Sequence, residues 1–127
     1  MRLLFYSTGP SRQMQWLYER LAKLWPVKTE FCLNVNSLGN CLRRSGGETT
    51  LAVLLTASQE ELQGVMSLRS LLTDIPHVLI LPDSKRETIA KGHVLAPRFL
   101  TDAQCNFMDL YRILNKMLNK YYDKGIY

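Results

Sequence analysis

The residues with the clearest chemical potential are Ser7-Thr8-Gly9-Pro10-Ser11, three hydroxyls and a glycine between an apolar run and a helical pattern. Backbone N–H groups and hydroxyls at a strand-to-helix turn are a common means of holding phosphate. Ser7, Thr8, Gly9 and Ser11, with Thr56 at a second such turn, are therefore the candidate ligand-binding residues. The loop is short and Pro10 removes one donor, so capping the following helix is the simpler use. Asp83 and Asp102 also fall at turns after apolar runs, where two carboxylates near Thr56 would bind a cation or share a proton. Both lie beside helix-start signals, where an acidic residue favours a helix N-terminus anyway, and capping is the preferred role. His77 and His93 have no second histidine nearby and no cysteine at ligand spacing, so no metal site is predicted. Cys32, Cys41 and Cys105 form no CxxC pair, and an odd count argues against a disulfide framework. Buried, reduced thiols in a cytoplasmic protein are expected, one in a strand and two in helices. No serine, histidine and aspartate share a local nucleophile geometry. Neither catalysis nor a cofactor is predicted.

These residues depend on elements whose pattern is regular. Leu3–Tyr6, Lys28–Leu33, Leu51–Leu55, Val78–Leu81 and Leu95–Leu100 read as strands. The third and fourth are unbroken apolar runs, as in a parallel sheet buried on both faces. Lys28–Leu33 alternates Thr29, Phe31 and Leu33 against Lys28 and Glu30, and Pro97 costs a ladder hydrogen bond; both segments belong at edges. Between the strands, Ser11–Trp25 sets Met14, Leu17, Leu21 and Leu24 on one helical face and stops at Pro26. Asn36–Arg44 reads as a short helix weakened by Gly39 and ended by Ser45-Gly46-Gly47. Three S/T-x-x-E/Q boxes, at Ser58, Ser84 and Thr101, predict helix starts. The first helix runs to about Thr73, the second closes at Gly92, and the third carries Phe107, Leu110, Leu114, Met117 and Tyr121 in one stripe. Five strand–helix alternations predict one three-layer α/β domain, residues 1–127, with a five-stranded parallel sheet and helices on both faces.

A chain of 127 residues with 46% hydrophobic and 21% charged residues has the composition of an ordinary soluble globule. Its apolar runs are far shorter than the ~20 residues of a membrane span, and the N-terminus lacks an apolar core of signal-peptide length. The net charge of +5 is uneven, +1 over residues 1–83 and +4 over residues 84–127. Such a bias suits an acidic partner or weak nucleic-acid binding, and equally a solvated face.

Five strand–helix units in this length resemble the flavodoxin-like fold, strand order 2-1-3-4-5. From Val78 onward the chain resembles the receiver domain of bacterial response regulators. The shared features are a Val-Leu-Ile-Leu strand, a short polar helix ending in Gly92, and Ala96-Pro97-Arg98-Phe99-Leu100-Thr101. That last run is similar to the family's small-residue, aromatic, Leu, Thr approach to its lysine; the first half is similar in layout alone. Receivers hold Mg²⁺ on an acidic pair after the first strand, phosphorylate an aspartate after the third, and use a Ser or Thr and a lysine after the fourth and fifth. On this chain the acidic pair falls on Ser7 and Thr8, the acceptor on Thr56, the hydroxyl on Pro82 with Ser84 two residues on, and the lysine on Asp102. A carboxylate attacks phosphorus only where cations neutralise the surrounding charge. The resemblance therefore implies a pseudo-receiver, a non-enzymatic signalling module that is not phosphorylated on aspartate and acts through protein contacts or self-association. Its interface is the edge that receivers use, placed here on Lys85, Arg86, Lys91, Arg98, Arg112, Lys116 and Tyr121, with Met117, Lys120 and Tyr122 beside them. Ser7–Ser11 is similar to the phosphate loop of flavodoxins, which makes phosphate or nucleotide binding the alternative.

Overall fold

The computed structural model describes residues 1–9, 11–44 and 50–126. Pro10, the Ser45-Gly46-Gly47 stop and the Tyr122 side chain lie outside the described residues. The elements are β1 (Arg2–Tyr6), α1 (Arg12–Leu24), β2 (Lys28–Cys32), α2 (Val35–Arg43), β3 (Thr50–Leu55), α3 (Gln59–Met66), α4 (Arg69–Leu72), β4 (His77–Leu81), α5 (Arg86–Val94), β5 (Phe99–Asp102) and α6 (Phe107–Ile126). All five strands pair in parallel in the order β2-β1-β3-β4-β5, as expected, with β2 and β5 at the edges.

The unalternating strands are buried on both faces. Leu3, Phe5, Leu51, Val53, Val78 and Ile80 point into one core under α1 and α6. Leu4, Tyr6, Ala52, Leu54, Leu79 and Leu81 point into the other, with side chains from α2, α3 and α4. On α1, Met14, Leu17 and Leu21 are buried, whereas Leu24 is 55% exposed because the helix ends there. Trp25 then takes the extended conformation that a residue before proline prefers. In the edge strand β2, Phe31 packs toward α1 and Cys32 toward α2; Leu33, beyond the strand, is 62% exposed.

Of the three capping boxes, Ser58 is a true cap. Its hydroxyl accepts from the Glu61 N–H at 3.2 Å, and the Glu61 carboxylate reaches back to the Ala57 N–H at 3.0 Å. The helix it opens is broken at Ser67–Leu68, so the predicted run to Thr73 is two helices, α3 and α4. Ser84 does not cap: Asp83 Oδ1 accepts from the Lys85 N–H at 3.0 Å, and Lys85 is the residue before α5. Thr101 does not cap either, because it is paired in β5 with Ile80. Asn106 starts α6 instead, its Oδ1 accepting from the Met108 N–H at 2.8 Å.

β5 also starts later than predicted. Leu95 ends α5 and is buried, Ala96 has φ 51°, and pairing begins at Phe99 opposite Val78. Pro97 thus lies before the strand, where it costs no ladder bond. Gly92 does not end its helix; a Cβ there would meet Leu100 Cδ1 at 2.9 Å and Leu81 Cδ2 at 3.1 Å. Its role is to let α5 lie close on the sheet. Among the described residues no helix is long and apolar enough to cross a membrane.

Candidate functional site

In an open parallel sheet a ligand or reaction centre belongs beyond the carboxyl ends of the strands. At those ends the structure turns two of the five candidate ligand residues inward. Thr56 is fully buried; its Oγ1 donates to the Ile80 carbonyl at 2.7 Å and its N–H to the same oxygen at 3.0 Å. Ser7 is 2% exposed and its hydroxyl donates to the Gly9 carbonyl at 2.9 Å. Thr8, Gly9 and Ser11 are brought together in a cleft of about 500 Å³ that also takes in Gln15, Tyr18, Phe31 and Leu33. Ser11 Oγ is already engaged as the α1 cap, accepting from the Met14 N–H at 3.2 Å. A Cβ at Gly9 would meet nothing within 4 Å, so no close approach selects glycine there.

The acidic groups at the strand ends are occupied locally. Asp102 Oδ1 accepts from the Gln104 N–H at 2.8 Å, closing the turn that leads to α6. Asp83 binds the Lys85 N–H, and Gln59 Nε2 reaches across from α3 to Asp83 Oδ2 at 3.0 Å and Thr88 Oγ1 at 2.9 Å. The Thr88 hydroxyl and the Lys85 N–H hold the Asp83 carboxyl below its usual range. At the end of β1 the Tyr6 phenol is pushed up to about 12, first by burial and then by the Glu61 carboxylate, so it is neutral at physiological pH. Among the described residues no three His, Cys, Asp or Glu side chains are grouped to hold a metal ion. His77 is buried at the start of β4 with Nδ1 2.8 Å from the Ile75 carbonyl, and His93 is exposed on α5. Cys105, predicted helical, sits in the turn before α6.

Neither a protein-family model nor a curated protein matches the sequence. The backbone does match a solved structure, the signal receiver domain of a modulated diguanylate cyclase from Desulfovibrio desulfuricans G20, an example of alternate folding. The TM-score is 0.62, at 12% identity, over 97% of each chain. The protein has a receiver fold. At that identity the likeness is one of architecture, and the strand-end residues must be judged on their own geometry.

The α5–β5–α6 edge of this receiver fold carries the predicted interface residues, spread along its length. Lys85, Arg86 and Lys91 are exposed on α5, and Arg112 and Lys116 on α6. Arg98 is exposed at the opposite end of β5 from Asp102, its N–H donating to the His77 carbonyl at 2.8 Å. Arg112 Nη1 lies 3.4 Å from Asp109 Oδ1 on its own helix, an exposed pair of small energetic weight. Ile113, Met117 and Tyr121, spaced by one helical turn, are half-buried beside a half-buried β5. Between α5 and β5 a cleft of about 270 Å³ is lined by Leu81, Ile89, His93, Leu100, Thr101 and Asp102.

Two constellations have no counterpart in the sequence reading. Arg12, Trp16 and Arg20, at i, i+4 and i+8 on α1, line a groove of about 470 Å³ with Phe107 and Met108, and Arg20 lies over the Trp16 ring at 5.2 Å. Helical spacing alone would have shown that stripe. The other joins Arg2, Glu30, Cys32, Cys41 and Arg44 across β1, β2 and α2, and only the tertiary fold brings it together.

Proposed function

We propose that this chain is a receiver-like regulatory module that works through protein contacts and carries no aspartyl-phosphate chemistry. The observation that supports this reading most is Thr56. The residue after β3, where a receiver presents its nucleophilic carboxylate, is here a fully buried hydroxyl spent on the Ile80 carbonyl. Ser7 is likewise spent on Gly9, and Asp102, in the lysine position, puts a negative charge where phosphoryl oxygens would need a positive one. With Ser7 and Thr56 engaged internally, we place function on the α5–β5–α6 edge. There a half-buried apolar strip, Ile113, Met117 and Tyr121, is rimmed by cations, the make-up of an interface with an apolar centre and charged border. An acidic partner segment or a second copy of the chain fits it.

Association of wild type and the Arg112→Glu, Tyr121→Ala double variant, by sedimentation for self-association and by pull-down for other proteins, tests this. The expected result is that the double variant loses the wild-type complex; identical behaviour of the two proteins would make the edge merely solvated. Complexes that dissolve steeply with salt and contain nucleic acid would point to the basic edge as a nucleic-acid surface instead.

A second reading is favoured by the cleft of about 500 Å³, where Tyr18 and Phe31 offer ring faces and Thr8 and Ser11 offer hydroxyls. It accommodates a phosphate or nucleotide. Titration with inorganic phosphate and ATP, read as a rise in Tm, would support this reading if Thr8→Val removed the effect.

A further inference from the structure

Cys32 and Cys41 come from different elements and meet beneath the β2 edge, with their sulfurs 3.4 Å apart. Buried thiols in purely apolar surroundings are inert, and these surroundings are not apolar. The Cys41 thiol donates to Glu30 Oε2 at 3.2 Å, and Arg44 Nη2 lies 3.2 Å from Cys41 Sγ. Arg2, 3% exposed, donates to the Cys41 carbonyl at 3.1 Å and to Glu30 Oε1 at 3.2 Å. Lys28 Nζ stands 3.6 Å from the same Glu30 oxygen. Cationic, partly accessible settings of this kind distinguish reactive cysteines from structural ones. Cys41 is 6% exposed, and the Arg44 side chain bonded to it is 68% exposed, so the sulfur lies one side chain below the surface.

We propose that Cys32 and Cys41 are a redox modification site that closes reversibly into an intramolecular disulfide between β2 and α2. The co-reactant is a low-molecular-weight disulfide. Cys41 loses its proton along the hydrogen bond toward Glu30 and on to water, and its sulfur attacks one sulfur of the disulfide. One small thiolate leaves, and Cys41 is then a mixed disulfide. The Cys32 sulfur, its proton passing to water, attacks Cys41 Sγ and releases the second small thiolate. Two protein thiols are oxidised and one small disulfide is reduced to two thiols. Cys41 attacks first because its sulfur is the one that the exposed Arg44 side chain meets, whereas Cys32 is 2% exposed and burial, with contact from Cys41 adding to it, pushes its thiol up. A disulfide bond is about 2.0 Å long, so the sulfurs close by a little more than 1 Å. The product removes the thiol donor from Glu30 and ties the edge strand to its covering helix.

The test exposes the full chain to oxidised glutathione, blocks remaining thiols with iodoacetamide, and maps peptides without reduction. The expected product is a monomer lighter by two hydrogen atoms before alkylation and carrying one carbamidomethyl group after it, with Cys32 linked to Cys41, Cys105 alkylated, and full reversal of the disulfide by dithiothreitol. Cys105→Ser, which keeps only the pair, should give the same bond, and Cys41→Ser should abolish it. Circular dichroism of Cys105→Ser establishes that the reacting protein is folded. Recovery of Cys32 and Cys41 as alkylated residues, as separate glutathione adducts, or only as intermolecular dimers would overturn the proposal.

Discussion

Restoring a carboxylate at the end of β3 is the sharpest perturbation of the strand ends. Thr56 is fully buried and its hydroxyl donates to a carbonyl oxygen, so an ionised aspartate there would face an acceptor with no donor to offer it. Thr56→Asp is therefore expected to be held protonated in the folded state, with its O–H replacing the threonine hydroxyl at Ile80. An unfolded aspartate has a pKa of about 3.9, and each unit of upward shift corresponds to about 1.36 kcal/mol. Because the folded pKa is raised, the penalty is absent below about pH 3.9 and grows as pH rises toward the folded value. Relative to wild type that is about 1.5 kcal/mol at pH 5 and about 4 kcal/mol at pH 7. The latter is a large part of the ~5–15 kcal/mol that stabilises a domain. Urea unfolding of both proteins at the two pH values reads the difference directly, and the comparison at equal pH cancels other titrations. Thr56→Val, which loses one hydrogen bond worth about 1 kcal/mol but leaves the Ile80 carbonyl with the backbone N–H, is the control. A Thr56→Asp protein as stable as wild type at pH 7, or one stabilised by Mg²⁺, would refute the buried geometry at this position.

Three further outcomes are expected from the packing and the charges. Gly92→Leu should destabilise by about 2 kcal/mol in urea unfolding, because overpacking against Leu100 and Leu81 exceeds the ~1 kcal/mol of helix propensity gained, while Gly92→Ala should be near neutral. Burial alone would raise the Glu30 carboxyl, but the Cys41 thiol and Arg2 outweigh it and hold it below its ordinary range. Its contribution is thus present above about pH 4.3 and lost as pH falls through the lowered value. Glu30→Gln should cost about 1–3 kcal/mol at neutral pH and flatten that part of the acid limb. Burial, outweighing the hydrogen bond to the Ile75 carbonyl, lowers the His77 pKa. Stability should therefore be full above about pH 6.5 and decline as pH falls toward the folded value, a slope that His77→Gln should remove.

The sheet was legible because its central strands are unbroken apolar runs, and only a parallel sheet covered on both sides buries such runs. The start of β5 was not legible. Leu95 is apolar like a strand residue, yet it is buried as the end of α5, and the turn at Ala96 that separates it from Phe99 leaves no mark in hydrophobicity. Two of three capping boxes failed for local reasons: the Asp83 turn onto the Lys85 N–H precedes a helix whose cap position is Lys85 rather than Ser84, and Thr101 is committed to the ladder with β4. At the site, residue types alone showed that carboxylates are missing at Ser7, Thr8 and Thr56. That the Thr56 hydroxyl meets the Ile80 carbonyl of the neighbouring strand, and the Ser7 hydroxyl the Gly9 carbonyl of its own turn, depends on backbone geometry that residue types do not encode. The meeting of Cys32 and Cys41 was out of reach, because it follows from how α2 lies on β2, which no spacing encodes.

The proposal that the strand ends carry no phosphoryl chemistry is tested most directly by intact mass before and after treatment with acetyl phosphate and Mg²⁺. With Thr56 sealed against Ile80 and Asp102 where a lysine would be needed, the expected result is no change in mass. A gain of one phosphoryl group that disappears in Asp83→Asn would contradict it.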